Sequence, residues 1–196
     1  MRIEDAQREL RRAYRHGFAG QLVSGALWLT AAALATWGSP RSAILTLCVG
    51  GIAIFPATRL LLLLTGRRER VSRENPLGQL GMQVAFTVPL AIPVILAATV
   101  ADLDWFFPAF MVIVGAHYLP FIFLYGMWEF GVLAAALVGG GVALGMNRPE
   151  ALGTGAWFTG AVLVAFAIVA LLRDRRDDRE SPPKGQPRQA ARPATG

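Results

Sequence analysis

Three features of the sequence predict an all-α fold: a six-helix transmembrane bundle with both termini cytoplasmic and several proline-kinked helices. Of its 196 residues, 54% are apolar and only 16% charged, against roughly 25% charged in a soluble globular domain. The apolar residues fall into six stretches of about 20, the length a helix needs to cross a hydrocarbon core of about 30 Å at 1.5 Å per residue. Arginines collect between alternate stretches rather than within them. A transmembrane barrel would instead need alternating segments of about 10 residues, and the unbroken leucine run at 60–64 does not alternate.

Residues 1–16 read as an amphipathic helix lying at the membrane interface, with Ile3, Leu10, Tyr14 and Phe18 near one face and Arg8, Arg11, Arg12 and Arg15 on the other. A solvated helix with ordinary Glu4 to Arg8 pairing is the competing reading. The transmembrane domain, 17–172, follows as spans at 17–37, 42–65, 77–100, 105–125, 127–145 and 152–172. A cleavable signal peptide is the rival for the first, given Ala33, Leu34 and Ala35. That run is longer than a signal core of about 7–15 residues, and five more spans follow it.

The second span carries Pro56, the third Pro89 and Pro93, and the fourth Pro108 and Pro120. Each proline lacks the N–H that would close its helical hydrogen bond, so kinks are expected. The fifth span places Gly131, Ala135, Gly139 and Ala143 at four-residue spacing, a small-residue face suited to close packing within the bundle, with dimerisation as the alternative. After Leu172 large apolar side chains cease and four prolines follow, so 173–196 is expected to be a disordered cytoplasmic tail.

Basic residues orient the spans. Sixteen fall before the first span, after the second and after the sixth, against Arg41 and Arg148 on the other side. The positive-inside rule then places both ends in the cytoplasm, implying a multi-pass protein of a bacterial cytoplasmic (inner) membrane. Trp37, Trp105, Phe106, Phe107 and Trp157 are expected to form an aromatic belt at the outer boundary. The net charge of +6 thus reads as membrane orientation rather than nucleic-acid binding. Cys48, the only cysteine, excludes an internal disulfide and a cysteine-based zinc site.

Depth, counted at 1.5 Å per residue, puts most intramembrane polarity in the cytoplasmic half. Gln21, Ser24, Arg59, Gln83, His117, Tyr125 and Glu129 are the candidate ligand-binding residues. Two readings of Arg59 stay open: snorkelling or pairing with Glu129, and contact with an anion or lipid headgroup. His117 must satisfy one donor and one acceptor where lipid offers neither, by bonding a neighbouring helix or by serving a ligand or proton. Pro120 leaves the Ala116 carbonyl beside it without its helical partner. No P-loop, Rossmann fingerprint, HExxH pair or convincing nucleophile triad is present.

The segments GQLVSGALW from Gly20, IFP from Ile54, NPL from Asn75, WFFPAF from Trp105 and GAHYLPFIFLYG from Gly115 carry a resemblance. Across about residues 14–145 the chain resembles a family of small bacterial polytopic membrane proteins known as a domain of unknown function, most specifically at 115–126. The resemblance brings no activity with it. It does fall on Gln21, Ser24, Pro56, His117, Tyr118, Pro120 and Tyr125.

The sequence therefore points to a non-enzymatic membrane protein, without cofactor or metal, that holds a small anionic solute or lipid headgroup in a cytoplasm-facing pocket. Arg59 would attract the anion while His117 and Tyr125 orient it and Gln21 and Ser24 complete the lining. Two alternatives remain: a small-solute transporter or channel, and an accessory subunit binding a membrane-protein partner or a second copy of the chain.

Overall fold

The computed structural model describes residues 1–147 and 152–180; the counted charge of Arg148 and the tail expected beyond residue 180 lie outside them. The helices are α1 (Ile3–Tyr14), α2 (Phe18–Trp37), α3 (Pro40–Leu64), α4 (Pro76–Ala85), α5 (Thr87–Ala101), α6 (Phe106–Tyr125), α7 (Glu129–Asn147) and α8 (Thr154–Glu180). Short 3-10 turns occupy Arg15–Gly17 and Leu103–Trp105. Among the described residues six helical stretches are long and apolar enough to cross a membrane, with α4 and α5 together making one of them. The chain is a multi-pass, all-helical membrane protein.

Two helix pairs form the rigid centre, each joined where glycine lets backbones touch. A Cβ built on Gly25 of α2 would lie 3.2 Å from the Val164 backbone nitrogen of α8, and one on Gly160 would lie 3.1 Å from that of Leu29. In the second pair, a Cβ on Gly115 of α6 would come within 2.9 Å of the Val138 nitrogen, and one on Gly141 of α7 within 2.8 Å of the Pro108 carbonyl oxygen. Small residues of this kind allow the close helix approach that replaces the hydrophobic effect inside a bilayer. Trp28 bridges the pairs, its ring 5.3 Å from that of Phe110 and 6.2 Å from that of Phe107. α3 leans on α2, and α4 and α5 lean on α6; these are the least buried of the six spans.

Several expectations are corrected here. The face of Gly131, Ala135, Gly139 and Ala143 is not the packing face of α7: a Cβ on Gly139 would meet nothing within 4 Å, and Ala135 and Ala143 are exposed. Four-residue spacing drifts round a helix of 3.6 residues per turn, and α6 instead meets the side carrying Ala134, Leu137, Gly141 and Gly145. The aromatic belt is smaller than expected, because Phe106 and Phe107 are fully buried. Trp37 and Trp157 do lie at the surface together, ring centroids 5.8 Å apart, with Trp157 donating to the Thr36 hydroxyl. The apolar face of α1 packs Ala6, Leu10 and Ala13 against the bundle rather than into lipid.

Prolines act unequally. The third span breaks at Phe86, between α4 and α5, where Pro89 deprives the Ala85 carbonyl of its i+4 donor. α3 runs through Pro56, α5 through Pro93 and α6 through Pro120 without a break, and Pro108 sits in the first turn of α6, where a missing N–H costs least. Finally, α8 continues as helix to Glu180, eight residues past the expected end of its span, for a reason that lies in its charged partners.

Candidate functional site

The basic end of the bundle is crossed by α1, which is tied to backbone groups that the other helices leave open. α6 ends at Gly126 in the left-handed region, φ 63°, and its last carbonyls have no helical donor. Gln7 donates to the Phe123 carbonyl at 2.6 Å, and Arg11 donates to that of Tyr125. Basic groups are favoured at a helix C-terminus, where the peptide dipoles leave partial negative charge. Gly126 is favoured by its positive φ, and a Cβ there would push aside the end of the Gln7 side chain, 2.6 Å away.

A second set of bonds ties α1 to the loop between α3 and α4. Asn75, 1% exposed, accepts from the Leu77 N–H as N-cap of α4, and donates to the Ala6 carbonyl at 3.0 Å and to Glu9 at 2.8 Å. Glu9 also accepts from the Ser72 backbone N–H at 2.7 Å. Pro76 in the first turn completes the helix start.

Above this floor lies a cleft of about 650 Å³ between α3 and α4. Phe55, Thr58, Arg59 and Leu62 line it from α3, at the i, i+3, i+4, i+7 spacing of one helix face. Gln79 and Met82 line it from α4, Ala13 and Tyr14 from α1, and Arg70 and Arg73 from the loop beneath. Arg59 reaches toward the loop, donating to the Glu69 carbonyl at 3.4 Å, as a snorkelling arginine does. Among the described residues no carboxylate forms an ion pair with Arg59, Arg70 or Arg73, and Glu69 is the one acidic residue in the lining. Thr58 Oγ1 is buried with no hydrogen-bond partner among them.

A cluster of charges lies beside the cleft and explains the length of α8. Asp174, 2% exposed, accepts from Arg15 at 2.7 Å and from Arg67 at 3.2 Å; Asp178 bonds Arg67 at 2.7 Å and Asp177 bonds His16 at 3.0 Å. The three carboxylates sit at i, i+3 and i+4, so continued helix puts them on one face. Burial works against the charge of Arg67, but Asp178 and Asp174 outweigh it and hold its pKa above the ordinary value. The same contacts offset backbone strain, since Arg15 and His16 are left-handed non-glycine residues at φ 50° and 57°. Sequence reasoning missed this cluster because it took the acidic residues after Leu172 for tail; their helical spacing was the available signal.

Compared with known proteins, the sequence matches the family described as Family of unknown function (DUF7010) over residues 3–173. The chain belongs to that family. No curated protein and no solved structure matches it. In this DUF7010 member the match extends beyond 14–145, the stretch that carried the resemblance, to include α1 and nearly all the apolar part of α8.

The candidate residues of this DUF7010 chain do not share one cavity. Arg59 alone lines the large cleft. Its expected pairing with Glu129 does not form, because Glu129 forms an ion pair with Arg173 of α8. Gln21 and Glu129 do meet, beside His16, in a separate void of about 10 Å³ where Gln21 Oε1 is buried with no donor among the described residues. Such a space holds about one water. Ser24 is buried in α2 outside both cavities. Gln83 is exposed and lines neither; Gln79, one turn earlier, takes the cleft position.

His117 bonds the break between α4 and α5: its Nδ1 lies 3.0 Å from the Val84 carbonyl and 3.1 Å from the Thr87 hydroxyl. Donation to that carbonyl fixes the protonated nitrogen and makes the histidine a clasp for the broken helix. Tyr125 is buried, stacked on Phe121 at 5.7 Å and close to Phe130. Thr58, Arg70, Arg73 and Gln79 were not singled out beforehand. The short return from α3 to α4 brings the loop arginines back under Arg59, and that return was the signal.

Proposed function

We propose that this protein binds an anionic group, phosphate or carboxylate in class, in the cleft between α3 and α4, in a bacterial cytoplasmic membrane whose inner side meets the basic end. The observation that carries the reading is Arg59, held within the bundle's basic end without a carboxylate partner while Arg70 and Arg73 line the same cleft. A guanidinium at that depth is costly without an anion or water to face it, and a planar fork of donors suits phosphate and carboxylate oxygens. The Gln79 amide supplies a neutral donor in the same lining, while Thr58 Oγ1 is buried beside Gly20 of α2. Binding rather than catalysis is favoured, because the one histidine within the spans is committed to the Val84 carbonyl.

The purified full-length protein, titrated with inorganic phosphate and glycerophosphoglycerol in a neutral detergent, is expected to show saturable binding by calorimetry. Arg59→Ala weakens it at least tenfold, and Arg41→Ala, at the opposite end of the bundle, leaves it unchanged. Absence of saturable binding by either probe, or equal binding by Arg59→Ala, overturns the reading.

A further inference from the structure

We infer that the occupant of the cleft is an anionic phospholipid that enters sideways from the bilayer, its phosphate at Arg59 and one acyl chain laid between α3 and the α4–α5 pair. This rests on the anion-binding reading and names its ligand.

The walls of the cleft differ in what they leave open. Toward water, the loop from Glu69 to Asn75 forms the floor and α1 contributes Ala13 and Tyr14. Glu9 and Asn75 fasten those two pieces together. Toward the bilayer no helix among the described residues closes the gap, since α3 packs on α2 while α4 and α5 pack on α6. A lipid in the bilayer meets the gap between these two sets of helices, whereas the basic end presents the fastened floor, whose Arg70, Ser72 and Arg73 are exposed.

The chemistry of the lining is ordered along the membrane normal. Phe55 lies four residues, about 6 Å, above Arg59 along α3, while Leu62, on the basic side of Arg59, is fully buried. Arg70 and Arg73 lie below Arg59 in the loop; Phe55 and Met82, 60% and 47% exposed, lie on the hydrocarbon side. Charge at the basic end and apolar surface above it follow the order of an anionic phospholipid in the leaflet that the excess arginines face. A volume of about 650 Å³ takes a headgroup and the first part of a chain. The remainder of that chain runs along Ile52 and Phe55 of α3, where Gly51 offers no side chain to obstruct it.

The test uses the full chain in dodecyl maltoside, with binding read by native mass spectrometry and by calorimetry. The probes are 1-palmitoyl-2-oleoyl phosphatidylglycerol, the zwitterionic phosphatidylcholine with the same chains, and glycerophosphoglycerol, which is the headgroup without chains. Phosphatidylglycerol is expected to bind at least tenfold more tightly than either other probe. Arg59→Ala lowers its affinity at least fivefold, and Arg59→Lys restores part of the loss. Met82→Trp, which fills the apolar half, weakens phosphatidylglycerol at least threefold, and Arg41→Ala, at the opposite end of the bundle, changes the binding of none of the probes; unaltered elution on size exclusion confirms that each variant folds.

If glycerophosphoglycerol binds as tightly as the lipid, lateral lipid entry is wrong while the anion reading stands. If neither anionic probe binds, both fall. If phosphatidylcholine matches phosphatidylglycerol and Arg59→Ala changes nothing, the cleft is a greasy seam and the inference is overturned.

Discussion

The pairs α2–α8 and α6–α7 touch through backbone, at Gly25, Gly160, Gly115 and Gly141, whereas α3 and α4–α5 rest on their neighbours through side chains and leave a cleft between them. Backbone contact leaves no flexible group to move aside, so the first region tolerates almost no added volume. Side-chain contact with one open flank can adjust to an occupant. The difference teaches where a ligand can be accommodated in a small bundle: at the wall that was never closed, beside a centre that cannot yield.

Variants that attack this division have a clear order of effect. The largest expected loss comes from Asp174→Asn, because Asp174 joins the start of α2 and the end of α3 to α8 through Arg15 and Arg67. Stranding charges at a buried pair costs about 3–5 kcal/mol, and the partial exposure of Arg15 and Arg67 places this one near the lower bound. Thermal unfolding in detergent, followed by tryptophan fluorescence, should show it; an unshifted midpoint means the cluster is only a surface network. Next, Gly141→Val in the centre should lose about 1–3 kcal/mol by overpacking, whereas Gly51→Val on α3, where a Cβ meets nothing within 4 Å, should stay within about 0.5 kcal/mol. Equal effects at the two glycines would erase the contrast between the regions.

Asn75→Ala removes the cap of α4 and two bonds to α1, a loss of about 1–2 kcal/mol. Its sharper signature is faster amide hydrogen exchange across 67–77, with the centre unaltered. His117→Phe keeps the ring packing on Tyr118 and Phe121 but loses the bond to Val84, about 1 kcal/mol, with exchange rising only around the α4–α5 break. Smallest of all is Arg59→Ala, expected to shift stability by less than about 0.5 kcal/mol while weakening binding of inorganic phosphate and glycerophosphoglycerol at least tenfold. A large drop in midpoint instead would make Arg59 a structural residue and remove the reason for assigning it a ligand.

Legibility followed the range of the interactions involved. The helical break was foreshadowed by Pro89, a local cause, though nothing nearby in sequence showed that His117, 33 residues on, would clasp the carbonyl at that break. Arg59 was visible as an expensive charge in an apolar span, but the other candidates share only its depth. Depth is one coordinate of three: Gln83 has the right height and the wrong azimuth, being exposed while Gln79 lines the cleft. The small-residue face of α7 failed for the same reason, since regular spacing shows that a face exists and not which neighbour meets it.

By itself the sequence determined that the chain crosses a membrane six times and that its basic segments gather at one end, because hydrocarbon thickness and headgroup charge act on each segment separately. Only the tertiary structure decided that α1 folds back as a floor, that the acidic face of α8 grips Arg15 and Arg67, and that the wall between α3 and α4 stays open. Those outcomes depend on pairs of groups far apart in the chain, and a bond between distant residues exists only once packing has set the rotation of each helix about its axis.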